Sequence, residues 1–133
     1  MSMAVTVEVR QMDTTASEGS VRGHRVIMDR PTEKEGQNKG AMGGEVLLMA
    51  LGGCFMSNLL AAIRSREAAI SDVHTTITGT LESAPPRFSA IRMKISATYD
   101  DRPLMEKLVT IAERGCINAN TLKHAVELKI AVE

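Results

Sequence analysis

Sixteen basic side chains offset sixteen acidic ones in 133 residues, so the chain lacks the charge footprint of a nucleic-acid or anionic-membrane binder. Apolar residues at 44% exclude disorder, and 2% aromatics with no Trp require an aliphatic, Met-rich core. Aromatic and basic residues do not interleave, which also argues against single-stranded nucleic acid. The length is that of one domain, residues 1–133, able to bury roughly two-thirds of the surface its unfolded chain exposes.

From the N-terminus, Val5, Val7 and Val9 alternate with Thr6, Glu8 and Arg10, which predicts a half-buried strand over 4–10. This end has no basic, apolar and small-residue layout of a signal peptide. Two cysteines far apart do not make a secreted disulfide scaffold, so a reducing cytoplasm is the expected location. Thr14–Ser20 is polar with Gly19 and reads as a turn, and Val21–Asp29 reads as a returning strand. Pro31–Gly44 is a charged, Gly-rich loop. Its glycines lack P-loop spacing and no Lys-Ser/Thr pair follows them, so it is not a phosphate cradle.

The longest apolar run, Glu45 to Ile63, predicts a helix from about Gly44 to Arg66. Val46–Ile63 approaches the length of a membrane span. It is interrupted by Gly52, Gly53, Ser57 and Asn58 and flanked by period-two strands. It reads as the central helix of a soluble core, shared between subunits if the chain dimerises, and no membrane partner is expected. Two alternating runs follow. In Val73–Glu82, Val73, Ile77 and Leu81 face one way and Thr76, Thr78 and Thr80 the other; in Phe88–Tyr99 the inward set is Ile91, Met93, Ile95, Ala97 and Tyr99. Ala84-Pro-Pro-Arg87 joins them as a hairpin connection. A second helix spans Pro103–Arg114 with Leu104, Leu108, Ile111 and Ala112 as its apolar stripe and Gly115 as cap. Val126, Leu128, Ile130 and Val132 alternate as a closing strand. The class is α+β, with antiparallel strands around a long central helix.

Cys54 sits midway along the apolar helix and Cys116 follows the second one. A thiol in an apolar helix and another at a helix boundary are the equipment for thiol redox chemistry on an apolar oxidant. Cys54 can equally be a small core residue, but Gly52 and Gly53 beside it each cost roughly 1 kcal/mol of helix stability. That cost is explained if another helix, or a ligand beside the thiol, packs close there. Cys116 can be a residue tucked under the last strand, or a thiol whose ionisation is favoured by a short helical turn capped by Asn118. His24, His74 and His124 show no metal-ligand spacing. Met42, Met49 and Met56 recur every seven residues as core filler or as the lining of an adaptable apolar pocket. Glu45 opens the helix, where the dipole stabilises a carboxylate whether or not it is catalytic.

The stretch Glu45-Val-Leu-Leu-Met-Ala-Leu-Gly-Gly-Cys54 resembles the Glu-Leu-Leu-Leu-Ala-Ala-Leu-Gly-Gly-Cys signature of the OsmC/Ohr family of osmotically inducible and organic hydroperoxide resistance proteins. Cys116-Ile-Asn-Ala-Asn-Thr-Leu-Lys123 resembles its second motif, Cys-Pro-Val-Ser-x-x-Leu-Lys. The resemblance implies the OsmC-like fold as an intertwined homodimer that needs no cofactor or metal. It implies that Cys54 is a peroxidatic cysteine attacking an organic hydroperoxide and that Cys116 resolves the sulfenic acid as a disulfide, which an external dithiol reduces. Glu45 would be the partner carboxylate. The arginine that holds thiolate and peroxide would be Arg30, with Arg22 and Arg25 as rivals. Gly43-Gly44 replace the proline usual before the helix Glu, and Ile-Asn-Ala replaces Pro-Val-Ser after Cys116. The Leu-Gly-Gly-Cys form marks an OsmC-like subgroup, for which a non-catalytic dimeric binder of a small apolar ligand is the alternative.

Helix geometry adds one expectation. Glu45 and Cys54 are nine residues apart, about 13.5 Å along a continuous helix and on opposite sides of it at about 100° per residue. A catalytic Glu45 must therefore sit where the chain bends or serve the Cys54 of a second subunit, which a two-fold dimer would make reciprocal.

Overall fold

In the computed structural model, which describes residues 2–124 and 126–132, the strands pair in two antiparallel sheets. The order is β1 (Glu8–Gln11), β2 (Ser17–Val21), β3 (His24–Met28), a 3-10 turn (Thr32–Lys34), α1 (Gly43–Ser65), β4 (Ser71–Ser83), β5 (Pro86–Thr98), α2 (Arg102–Arg114) and α3 (Ile117–Lys123). The mixed α+β class is as expected. The chain forms two units, one ending at Leu47 and one beginning at Leu48.

The first unit is a β1-β2-β3 meander. Arg22 and Gly23 turn β2 into β3 with positive φ at both residues (51° and 83°), the backbone a two-residue hairpin needs. Ser17–Ser20, expected within a turn, instead forms with Val21 the central strand, paired to Glu8–Gln11 and to His24–Met28. The true turn is shorter: the Asp13 carboxylate accepts the N–H groups of Thr15 (2.9 Å) and Ala16 (2.8 Å). Pairing on both edges then overrides the weak strand propensity of Ser, Glu and Gly.

The charged loop has a buried acid at its base. Asp29 accepts N–H groups from Arg30 (2.7 Å), Gln37 (3.1 Å) and Lys39 (3.2 Å). Burial works against its charge, but these amides outweigh it and hold the carboxyl below its ordinary range. The loop folds so tightly that a Cβ at Gly36 would lie 2.0 Å from the Arg30 carbonyl oxygen. Close backbone approach, not anion binding, explains that glycine.

In the second unit Leu51, Gly52, Phe55, Leu59, Ala62 and Ile63 make the buried face of α1, at the spacing of one helical stripe. They meet Met105, Leu108 and Ala112 of α2, with Ile77, Ile91, Met93 and Ile95 of the β4–β5 hairpin packed against them. Asp101 caps α2 by accepting the Leu104 N–H at 2.9 Å, with Pro103 in the first turn. By length and composition α1 could cross a membrane, yet this face is committed to protein.

Three expectations change. Leu81 is 67% exposed, because the ladder shifts register between Thr80 and Leu81 and carries it off the inner face. Met49, read as part of a core stripe, is 55% exposed; the buried stripe runs through 51, 55, 59 and 62 instead. Residues 126–132 form no strand, since no strand among the described residues offers them a ladder, and Ile130 and Val132 are over 90% exposed.

The two helix glycines differ. A Cβ at Gly52 would lie 2.6 Å from Ile77 Cδ1, whereas one at Gly53 meets nothing within 4 Å. Gly52 thus admits a β4 side chain, not a second helix. Gly53→Ala should raise unfolding stability by up to about 1 kcal/mol from helix propensity, whereas Gly52→Leu should cost about 1–3 kcal/mol by overpacking. Urea unfolding checks both. A destabilised Gly53→Ala protein would show that a second chain occupies that space.

Candidate functional site: a thiol pair where three helices meet

Cys54 is half-buried at the margin of the buried stripe, between Leu51 and Phe55. α2 ends with the Gly115 N–H bonded to the Ile111 carbonyl (3.2 Å) and the Cys116 N–H to that of Glu113 (3.2 Å). The chain then extends at Cys116 and re-enters a helix, so Cys116, not Asn118, caps α3, its Sγ accepting the Ala119 N–H at 3.4 Å. Cys116 is fully buried. Asn118 lies inside α3, and its side-chain amide crosses to α1, donating to the Ala50 carbonyl at 3.0 Å.

The structure brings the two cysteines together. Burial penalises the Cys54 thiolate, but hydrogen bonds from the Asn118 N–H, the Cys116 thiol and the Ile117 N–H outweigh it and hold Cys54 below the ordinary thiol range. At Cys116 burial dominates. The Ala119 N–H opposes it, the neighbouring Cys54 sulfur reinforces it, and the thiol is pushed up. The two thiols are thus shifted in opposite directions from their ordinary value. An apolar cavity of about 380 Å³ lies nearby in the same unit, lined by Leu51, Phe55, Met93, Val109 and Leu122 and bordered by the Glu113–Lys123 ion pair. Neither sulfur lines it.

Glu45 and Arg30 are placed within the first unit. Glu45 Oε1 accepts the Met42 N–H at 2.8 Å, which is half of a capping box and satisfies a donor that the helix start leaves free. Arg30 is exposed and lines a cavity of about 500 Å³ with Val9, Met28 and Met42. Of its rivals, Arg22 sits in the β2–β3 turn and Arg25 pairs with Glu18 at 3.8 Å. His24, His74 and His124 are exposed. The donors at Ile117 and Asn118 were not legible as site groups. Their one sequence signal was the missing proline after Cys116, which leaves residue 117 an N–H to donate.

The family model for OsmC-like proteins matches residues 36–131. An OsmC-like protein of Mycoplasma pneumoniae superposes with TM-score 0.74 at 15% identity, covering 92% of this chain and 89% of that one. An organic hydroperoxide resistance protein of Elizabethkingia anophelis gives 0.69 at 15% identity, covering 92% and 91%. The organic hydroperoxide resistance protein OsmC of Legionella pneumophila gives 0.62 at 15% identity, covering 91% and 90%. No curated protein matches the chain. With its family model spanning most of its length and the same fold in these relatives, the chain belongs to the OsmC-like protein family.

Proposed function

We propose that the chain is a thiol-dependent peroxidase that reduces organic hydroperoxides, with Cys54 peroxidatic and Cys116 resolving. The carrying observation is that the Asn118 side chain, bonded to the Ala50 carbonyl at 3.0 Å, seats the Cys116 segment on the helix that carries Cys54, with both cysteines in one core cluster. The Cys54 thiolate attacks the peroxide's terminal oxygen. The S–O bond forms, the O–O bond breaks, and the alkoxide takes a proton and leaves as alcohol. Cys116, as thiolate, then attacks the sulfenic sulfur. The S–S bond forms and hydroxide leaves, to be protonated to water. An external dithiol restores both thiols by exchange. Arg30 is the proposed cation for the peroxide, and a reducing cytoplasm the setting. No metal or organic cofactor enters this chemistry.

Purified protein with a dithiol should consume cumene hydroperoxide, and Cys54→Ser should abolish turnover. Equal activity in the mutant would end the proposal. In the absence of peroxide, iodoacetamide at neutral pH should label Cys54 well before Cys116. Cys116 should stay protected in the folded protein, being both enclosed and pushed up by burial, and become labelled on unfolding.

The cavity lined by Leu51, Phe55, Met93, Val109 and Leu122 favours a second reading, a binding protein for a small apolar molecule with no turnover. One mass spectrum after peroxide treatment separates the two. The peroxidase yields a Cys54–Cys116 disulfide, whereas the binder stays reduced or goes directly to sulfonic acid at Cys54.

A homodimer completes the proposal. Val5 and Val7 near one end and Val126, Leu128, Ile130 and Val132 near the other are each more than 60% exposed, as strands awaiting a second copy would leave them. If Glu45 serves the partner's Cys54, mixed dimers of Glu45→Ala and Cys54→Ser chains should regain activity, having one intact site each. Mixed dimers as inactive as their parents would refute the sharing.

A further inference from the structure

Ala50, Cys54 and Asn58 stand at i, i+4 and i+8 on α1 and so form one row along the helix surface. The segment from the end of α2 into α3 is bonded to both ends of this row. The Asn58 side-chain amide donates to the Ala112 carbonyl at 3.3 Å, and the Asn118 side-chain amide donates to the Ala50 carbonyl at 3.0 Å. Cys116 lies between these two attachments in sequence, as Cys54 lies between them on α1.

The Asn118 contact is the more pointed of the two. In an α-helix the Ala50 carbonyl is the acceptor for the Cys54 N–H. Its second lone pair takes the Asn118 side chain. One residue therefore grips the peptide turn that carries Cys54 while its own backbone N–H faces the Cys54 sulfur.

We propose that Asn118, assisted by Asn58, is a positioning residue for the thiol pair, pinning the Cys116 segment across α1 so that the Ile117 and Asn118 N–H groups and the Cys116 sulfur stay aimed at Cys54. The inference rests on the peroxidatic and resolving roles proposed above only for its catalytic consequence; the alignment itself is a property of the reduced protein. It accounts for the departure from the family's second motif. Where that motif has Pro-Val after its cysteine, this chain has Ile117-Asn118, which supplies an extra backbone N–H and a side-chain amide that proline and valine lack. Closing the disulfide brings the two sulfurs to about 2.05 Å, so an attacking Cys116 held in line gains rate through orientation.

The test uses full-length Asn118→Ala and Asn118→Leu, with Asn120→Ala as comparison. Asn120 donates its side-chain amide to the Arg114 carbonyl at 3.1 Å, a bond of the same kind at the same junction that does not reach α1. Two quantities are read on folded protein: the pH midpoint of Cys54 alkylation by iodoacetamide, and the rate of Cys54–Cys116 disulfide formation after one equivalent of cumene hydroperoxide. Both Asn118 variants should raise the midpoint by about one pH unit and slow disulfide formation by about tenfold or more, with more over-oxidised Cys54. Asn120→Ala should match wild type in both. Unchanged midpoints in the Asn118 variants, or the same shift in Asn120→Ala, would overturn the inference. If wild type itself forms no disulfide, the peroxidase reading fails, while the alkylation midpoints still decide the role of Asn118.

Discussion

The seating of the α2–α3 junction on α1, through the Asn58 and Asn118 side chains, is the constraint that sets the surroundings of Cys54. A thiolate moved out of water is penalised unless donors replace its solvation. Those donors come from the first residues of α3, more than sixty positions along the chain. For them to arrive, α2 must end at Gly115, Cys116 must leave helical geometry, and α3 must restart at once. Each event has its own local cause, and together they set two chemically identical side chains on opposite sides of the ordinary thiol range.

The core supports this arrangement by fixing α1. Leu59 and Leu108 are fully buried and tie α1 to α2. Gly52 lets Ile77 of β4 come within a Cβ's reach of the helix. Interiors are close-packed and shift little, so the row from Ala50 to Asn58 presents a stable surface to the incoming segment. In the first unit the equivalent constraint is Asp29, whose buried carboxylate gathers three amides of the charged loop.

Burial separates the two cysteines. Cys116 is fully enclosed, as the resolving role proposed above calls for. Cys54 is partly open, as the proposed encounter with an external oxidant requires. The exposed apolar residues near the two ends of the chain bear instead on the homodimer proposed above.

Period-two and period-3.6 patterns by themselves determined the long helix, the β4–β5 hairpin, α2 and its stop, because local geometry sets which side chains share a face. The Leu-Gly-Gly-Cys run marked Cys54, and the later Cys-x-x-x-x-x-Leu-Lys marked Cys116. Ser17–Ser20 was not legible as a strand, since its residues have little strand preference and pairing on two edges decided the matter. The closing alternation at 126–132 misled in the opposite way, because a strand also needs a neighbour to accept its hydrogen bonds. Glu45 was legible as a carboxylate at a helix start, but only the structure shows it accepting the Met42 N–H. What tertiary structure alone decided is the surroundings of the thiol pair: the missing proline leaves residue 117 an N–H, but only folding brings residues 117 and 118 to residue 54.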